Sequence, residues 1–234
     1  MLSWFAIQFD SSTRLVYPGK LITLEGLDGS GKSTQLALEA ERLRSSGFRV
    51  VTTHEPGGTI LGQQVREVVL HAARDGVTPM SELTLMFAAR AQHIERLILP
   101  TLQAGDLVLC DRFTDSSVAY QGYGRGVPLE VIQGLESWLC RGVRPDLTLI
   151  LEIDAYAAAR RTGNRNRAAS QPATRFEQED VGFFERVRHG YEEIARQEPT
   201  RVRVVDGMGT IAAVHERIRK AVDEFLGQVA ANRL

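Results

Sequence analysis

Lysine is nearly missing from this 234-residue sequence: Lys20, Lys32 and Lys220 are the only ones, and arginine supplies the rest of the positive charge. Genomic base composition accounts for such a bias, but it makes a lysine at a motif position harder to ascribe to chance. Net charge is also small, at -1, which argues against a general polyanion-binding surface and so against a nucleic-acid partner. Local arginine clusters can still bind phosphate. The two cysteines, Cys110 and Cys140, form no disulfide framework and no metal-ligand spacing, so reduced, buried thiols and a cytoplasmic location are expected. No apolar run approaches the roughly 18–20 residues of a membrane span, so no membrane association is expected. The opening MLSWFAIQFD is apolar but short, lacks a basic start and contains Asp10, and does not read as a signal peptide.

What is present is globular composition, 43% apolar and 24% charged, enough for one compact domain. Pro18-Gly19 sets residues 1–19 apart as an N-terminal extension of unassigned role, leaving 20–234 as a single domain. From Lys20 short apolar runs alternate with helical patterns. The runs Leu21 to Glu25, Phe48 to Thr53, Leu107 to Asp111, Leu147 to Ile153 and Val202 to Asp206 read as strands. Between them fall helices through Arg44, near Ile60 to Ala72, from Met80 to Leu102, from Leu129 to Cys140 and from Glu177 to about Arg196, with another closing the chain. Strands apolar on both faces and separated by helices predict a three-layer α/β/α fold around a five-stranded parallel sheet. The arginine-rich stretch Arg160 to Arg175 lacks apolar periodicity and reads as a mobile lid, about 160–176.

The strongest local signal is Gly26-Leu27-Asp28-Gly29-Ser30-Gly31-Lys32-Ser33, followed by Thr34, which matches G-x-x-x-x-G-K-[ST]. A strand enters it and a helix leaves it. Glycines let successive backbone N–H groups curl around a polyphosphate, and the helix N-terminus adds partial positive charge. Lys32 should reach the β- and γ-phosphates of ATP, and the Ser33 hydroxyl should ligate Mg2+. This P-loop specifies a nucleoside triphosphate, not a reaction. The second signal, Asp111-Arg112-Phe113, ends a parallel strand beside the cradle. There the acid can bind the metal directly or through water, and the arginine can clamp a phosphate with its planar fork. A strand-ending salt bridge is the plainer reading of the same residues.

Together with HEPGGT (His54 to Thr59), LMFAARAQHIERLILPTLQAGDLVLCDRFTDSSVAYQG, PDLTLILEID and RFEQEDVGFFERVRHGY, these motifs make the sequence resemble bacterial thymidylate kinases, P-loop nucleoside-monophosphate kinases, from about Lys20 to about Asp206. The resemblance implies a phosphotransferase moving the γ-phosphate of ATP to dTMP, giving dTDP and ADP in the supply of dTTP for DNA replication. It implies that Phe87 stacks on thymine while Arg90, three residues on, reaches the base edge or the acceptor phosphate. It implies that Tyr120 lies against the sugar, and that Ser117 and Gln121 read the pyrimidine edge. Glu55 falls in the loop beside the acceptor, Arg112 holds the acceptor phosphate, and Asp28 organises the acceptor and its partners. Relatives take a catalytic arginine from the cradle or from the lid. Gly29 stands where the cradle arginine would, so Arg161 or Arg165, with Arg167 and Arg160 nearby, should supply it. A homodimer, formed partly through the helix from Met80 to Leu102, is also implied.

His54 and Thr174 depart from the family pattern, where arginine and aspartate are common, and the lid stretch is several residues longer than usual. Residue chemistry alone leaves three other readings: another nucleotide or deoxynucleoside kinase on the same fold, a P-loop ATPase or switch with no acceptor, and a catalytically dead scaffold. The presence of Asp28, Lys32, Asp111 and Arg112 together speaks against the last.

Overall fold

The computed structural model describes residues 17–73, 76–169 and 173–231, without the side chains of 155, 165, 166, 168 and 169. Residues 1–16 of the expected extension therefore lie outside the described residues, as does the Arg165 side chain. In chain order the elements are β1 (Lys20–Glu25), α1 (Lys32–Ser45), β2 (Val50–His54), α2 (Ile60–His71), α3 (Pro79–His93), α4 (Leu99–Gln103), β3 (Leu107–Asp111) and α5 (Thr114–Ser117). They continue with α6 (Leu129–Leu139), β4 (Leu147–Glu152), α7 (Ala155–Ala169), α8 (Val181–Gln197), β5 (Val202–Asp206) and α9 (Ile211–Ala231).

The five strands form one parallel sheet in the order β2-β3-β1-β4-β5. Alternation of side chains along β1 sends Ile22 and Leu24 to one face, where they pack with Leu36, Ala40 and Leu43 of α1 and Val214, Ile218 and Val222 of α9. Leu21 faces the other way, into a core with Leu83 and Phe87 of α3, Ile132 of α6 and Val108 of β3. Both faces are covered, as the near-continuous apolar strands require. Crossovers leave in opposite directions on either side of β1, so a crevice opens at the carboxyl ends of β1 and β3. Their register pairs Leu24 with Asp111, which places the loop after β1 beside the loop after β3.

Two sequence expectations shift. The second strand starts at Val50 rather than Phe48, because Gly47, at φ 89°, still belongs to the turn that ends α1 and leaves Phe48 half-exposed. The expected helix from Met80 to Leu102 runs unbroken but widens into a π-turn over Ile94–Ile98 before α4. Pro100 has no N–H for an ordinary α-turn and its ring crowds the preceding carbonyls, which accounts for the widening there. The larger correction concerns the arginine-rich stretch, which is helical to Ala169. Alanine and arginine are strong helix formers, so propensity supplies what hydrophobic periodicity does not.

A buried polar network lies under the crevice. Arg201 Nη1 and Nη2 donate to the two carboxylate oxygens of Asp115 at 2.7 and 2.8 Å, and Thr148 Oγ1 donates to Asp115 at 2.9 Å. Asp115 belongs to α5, so the network anchors the segment that follows Arg112 to β4 and to the residue that precedes β5. Replacing Arg201 by Met would strand the Asp115 carboxylate and is expected to cost about 3–5 kcal/mol, read as a lower midpoint in urea denaturation at neutral pH.

Candidate active site

The cradle forms as its residue types dictate. Gly26, Gly29 and Gly31 have φ of 127°, 84° and 100°, a region that side chains disfavour. At Gly29 a Cβ would also lie 2.6 Å from the Ala158 carbonyl and 2.7 Å from Thr162 Oγ1, because α7 packs directly on the loop. Lys32 is buried at the start of α1 and donates to the carbonyls of Gly26 at 3.1 Å and Leu27 at 2.9 Å. Burial, and then the charge of Arg112, push its ammonium down to about 8.

Ser33 Oγ donates to Asp111 Oδ2 at 2.7 Å, so the helix that leaves the cradle meets the end of β3. The other Asp111 oxygen is buried with no partner among the described residues. A hydroxyl and an adjacent carboxylate suit Mg2+, which takes one or two protein oxygens and completes its shell with phosphate and water. No group of three or more His, Cys, Asp or Glu able to hold an ion occurs among the described residues.

Arg112 is held in the left-handed region, φ 71°, with its N–H on the Leu24 carbonyl at 3.0 Å. Its Nη2 donates to Asp28 at 2.8 Å and to the Tyr120 hydroxyl at 3.1 Å. Its Nη1 donates to Ser116 Oγ at 3.1 Å and to the Tyr191 hydroxyl at 3.2 Å. The guanidinium lies over the Tyr120 ring, 4.8 Å from the centroid. Four side chains, from the cradle (Asp28), α5 (Ser116), the π-turn over Val118–Gly124 (Tyr120) and α8 (Tyr191), therefore converge on one cation.

Deeper in, Arg90 Nε donates to Glu55 at 2.6 Å, Nη1 to Ser117 Oγ at 3.1 Å and Nη2 to the Phe113 carbonyl at 3.0 Å. Glu55 also meets His93 at 2.9 Å, and His93 meets Thr53 Oγ1 at 2.7 Å. Burial opposes ionisation of Glu55, but Arg90 and His93 hold its carboxyl below the usual range. The Gln121 amide nitrogen donates to the buried Glu82 at 2.7 Å, which fixes how that amide faces the site.

One cleft of ≈ 810 Å³ runs from Gly29, Lys32, Ser33 and Thr34 to Arg112, Arg90, Ser117, Tyr120 and Gln121. This volume is within the range that holds nucleotide-sized ligands. Arg161 reaches its rim from α7, with Nη1 3.5 Å from the Gly29 carbonyl and 3.3 Å from the Gly207 carbonyl. Arg160 and Arg167 are solvent-exposed on the same helix.

Phe87 does not join this assembly. Its ring is fully buried in the core under Arg90, whose guanidinium lies 4.6 Å above it. Residues four apart on a helix lie more nearly one above the other than residues three apart on the side turned to this cleft, and the residue four before Arg90 is Met86. Met86 is half-buried and lines the cleft, so it holds the face expected of Phe87. Arg66, which the sequence pattern does not single out, also lines the cleft from α2 and donates to the Pro56 carbonyl at 3.2 Å. Its signal was a charge next to the buried stripe formed by Gly62, Val65 and Val69. His93 is not singled out by the sequence pattern either, although it falls on the buried side of α3, between Thr53 of β2 and Glu55 just after that strand.

A doubly covered parallel sheet with a phosphate cradle after its central strand, opening onto an arginine-lined second chamber, defines a P-loop phosphotransferase of the nucleoside-monophosphate kinase type. The comparisons narrow the class. The Thymidylate kinase family model matches residues 24–218. The chain is 49% identical over 209 residues to a thymidylate kinase of Methylococcus capsulatus, covering 89% of this chain and 97% of that one. It is 46% identical over 208 residues to one of Pelotomaculum thermopropionicum, covering 89% and 94%. The crystal structure of thymidylate kinase from Ehrlichia chaffeensis superposes with a TM-score of 0.70 at 36% identity, over 88% of this chain and 98% of that one. The chain belongs to the thymidylate kinase family, and it is a kinase.

Among the described residues no helix is long and apolar enough to cross a membrane. Cys110 and Cys140 are both free and buried.

Lys32→Met is expected to abolish phosphoryl transfer. It also carries a linkage signature. A lysine whose folded pKa of about 8 lies below its unfolded value binds its proton less tightly when folded, so wild-type stability gains relative to the variant as pH rises from about 7 to about 10. Thermal melts of both proteins across that range check the sign.

Proposed function

We propose that the chain transfers the γ-phosphate of ATP to the 5′-phosphate of dTMP, giving dTDP and ADP. The observation that carries this reading is the continuity of the cleft: the cradle and the Arg112 cluster open into one space, so donor and acceptor phosphates can meet end to end. An ATPase or switch without an acceptor has no use for the second chamber.

The cradle amides and Lys32 bind the donor β- and γ-phosphates, and the helix N-terminus favours their charge. Ser33 and Asp111 would hold Mg2+, which when bound would neutralise phosphate charge. Arg112 grips the acceptor phosphate, with Asp28 keeping its fork turned towards the cradle and Arg66 adding positive charge beside it. A phosphate oxygen is already an adequate nucleophile, so positioning and charge neutralisation, rather than a general base, lower the barrier. Arg161 or Arg165 from α7 stabilises charge on the transferring phosphoryl group, and closure of this lid over the cradle excludes water. Tyr120, which lines the cleft, packs against the sugar in this reading and leaves little room for a 2′-hydroxyl. Arg90, Ser117 and Gln121 present donors and acceptors to the pyrimidine edge, while Glu55 locks Arg90 in place. Met86 supplies the apolar contact to the base.

A homodimer is part of this proposal. Ile60, Leu61 and Val68 of α2 and Met80 of α3 are exposed apolar side chains on two helices that pack together, a surface suited to a second copy. Sedimentation velocity at micromolar concentration tests it, and a monomer would overturn it.

A coupled assay with ATP, Mg2+ and a panel of monophosphates tests the reaction. Transfer to dTMP is expected, with AMP, CMP and thymidine inert, and Arg112→Ala should chiefly raise the KM for dTMP. Hydrolysis of ATP indifferent to dTMP would overturn the reading. The two neighbouring side chains separate cleanly: Met86→Ala should raise the dTMP KM with the ATP KM unchanged. Phe87→Leu should lower stability by about 1–3 kcal/mol and leave the dTMP KM alone.

A further inference from the structure

Glu25 closes β1 with its side chain fully buried, and the phosphoryl-transfer scheme above gives it no task. Its Oε1 accepts the Phe113 N–H at 2.7 Å. Its Oε2 accepts the Ser116 hydroxyl at 2.5 Å and the Tyr191 hydroxyl at 2.9 Å. Those are the two hydroxyls on which Arg112 Nη1 lands. A guanidinium has no acceptor, so each hydroxyl must present a lone pair to Arg112 and send its single proton elsewhere. The Ser116 and Tyr191 oxygens are also 3.1 Å apart, but one hydroxyl donating to the other would still leave a proton needing a home. The carboxylate provides it.

We propose that Glu25 is a positioning residue for the acceptor clamp: by accepting the protons of Ser116 and Tyr191 it turns both hydroxyl oxygens onto Arg112, and by accepting the Phe113 N–H it holds the strained turn that carries Arg112. The inference rests on Arg112 being the acceptor-phosphate ligand. Burial, reinforced by the charge of Asp115, pushes the Glu25 carboxyl up to about 7, while the Arg112 charge and the Ser116 and Phe113 hydrogen bonds favour its ionised form. An acceptor-only group is what the arrangement requires. Glutamine has the same shape but cannot serve both sides: with its oxygen on Phe113 its NH2 faces the hydroxyls, and reversed, its NH2 faces the Phe113 N–H. Either way one contact becomes donor against donor.

The test is steady-state kinetics of Glu25→Gln, of the double variant Ser116→Ala/Tyr191→Phe, and of the triple combination, each checked for a wild-type circular dichroism spectrum. Glu25→Gln should raise the dTMP KM about tenfold, the scale of one lost charge-assisted hydrogen bond, with the ATP KM within about twofold of wild type. The double variant should raise it similarly, and adding Glu25→Gln to it should change the dTMP KM by less than about threefold, since the relay is already gone. A dTMP KM unchanged in Glu25→Gln, or both KM values raised together, overturns the proposal. If Glu25→Gln does not fold, the double variant decides alone, and an unchanged dTMP KM there overturns it. Wild-type enzyme that transfers no phosphate to dTMP would instead defeat the functional reading beneath it, which keeps the two failures apart.

Discussion

The Arg112 guanidinium is the point on which the site turns. It sits at the carboxyl end of β3 in a left-handed backbone, bonded to Asp28 of the cradle and to hydroxyls brought by α5, by the π-turn Val118–Gly124 that follows it, and by α8. Few side chains adopt that backbone without strain, of order 1–2 kcal/mol, and strain of this kind persists only where the surroundings over-determine it. Here they do. The register of β3 on β1, the bond from its N–H to the Leu24 carbonyl, and the Glu25 carboxylate all press the same turn into place. The parallel sheet is therefore a jig that fixes two loops within reach of each other, more than a passive support.

The same logic explains why charge is concentrated where solvation is poor. Lys32, Arg90 and Glu25 are all buried at or near the cleft; Lys32 is satisfied within its own loop, and Arg90 and Glu25 by distant parts of the chain. Lys32 leans on loop carbonyls, Arg90 on Glu55 of the β2 loop, and Glu25 on hydroxyls from α5 and α8. Burying a charge without partners costs far more than a surface pair returns, so these clusters impose a single arrangement on the elements they join. Preorganised cations lining a cleft are also what phosphoryl transfer requires. Stability and function draw here on one set of contacts.

Local features were the most legible in the sequence. The cradle is contiguous, its neighbouring strands are apolar on both faces, and Asp111-Arg112 ends a strand, so the α/β architecture and the donor half of the site follow from short-range pattern. The acceptor half depends on angles and on distant partners. Choosing Phe87 over Met86 hinged on which of two adjacent helical residues faces a cleft, a matter of one hundred degrees that aromatic character alone does not decide. Arg66 looked like any charge on an amphipathic helix. Tyr191 and Glu25 are separated by most of the chain, and nothing in LITLE marks its last residue as the acceptor for a hydroxyl from α8. The helix α7 was hidden for another reason: it is held by propensity and by packing on the cradle, and so lacks the apolar stripe that betrays most helices.

That packing bears on how an arginine reaches the transferring phosphate. With α7 in place, any side chain at Gly29 would drive a Cβ into the Ala158 carbonyl, and the backbone there is at a φ that side chains resist. An arginine in the cradle at this position and a lid helix seated on the cradle are thus sterically incompatible. A chain that takes glycine at 29 lets the lid come down onto the loop, and Arg161, one residue before the Thr162 that meets Gly29, is carried to the rim by the same contact. On the proposed mechanism, the absence of a cradle arginine and the arginine-rich α7 are two consequences of one packing choice, because the glycine that leaves the cradle without a side chain is what admits the helix that brings Arg161 to the rim.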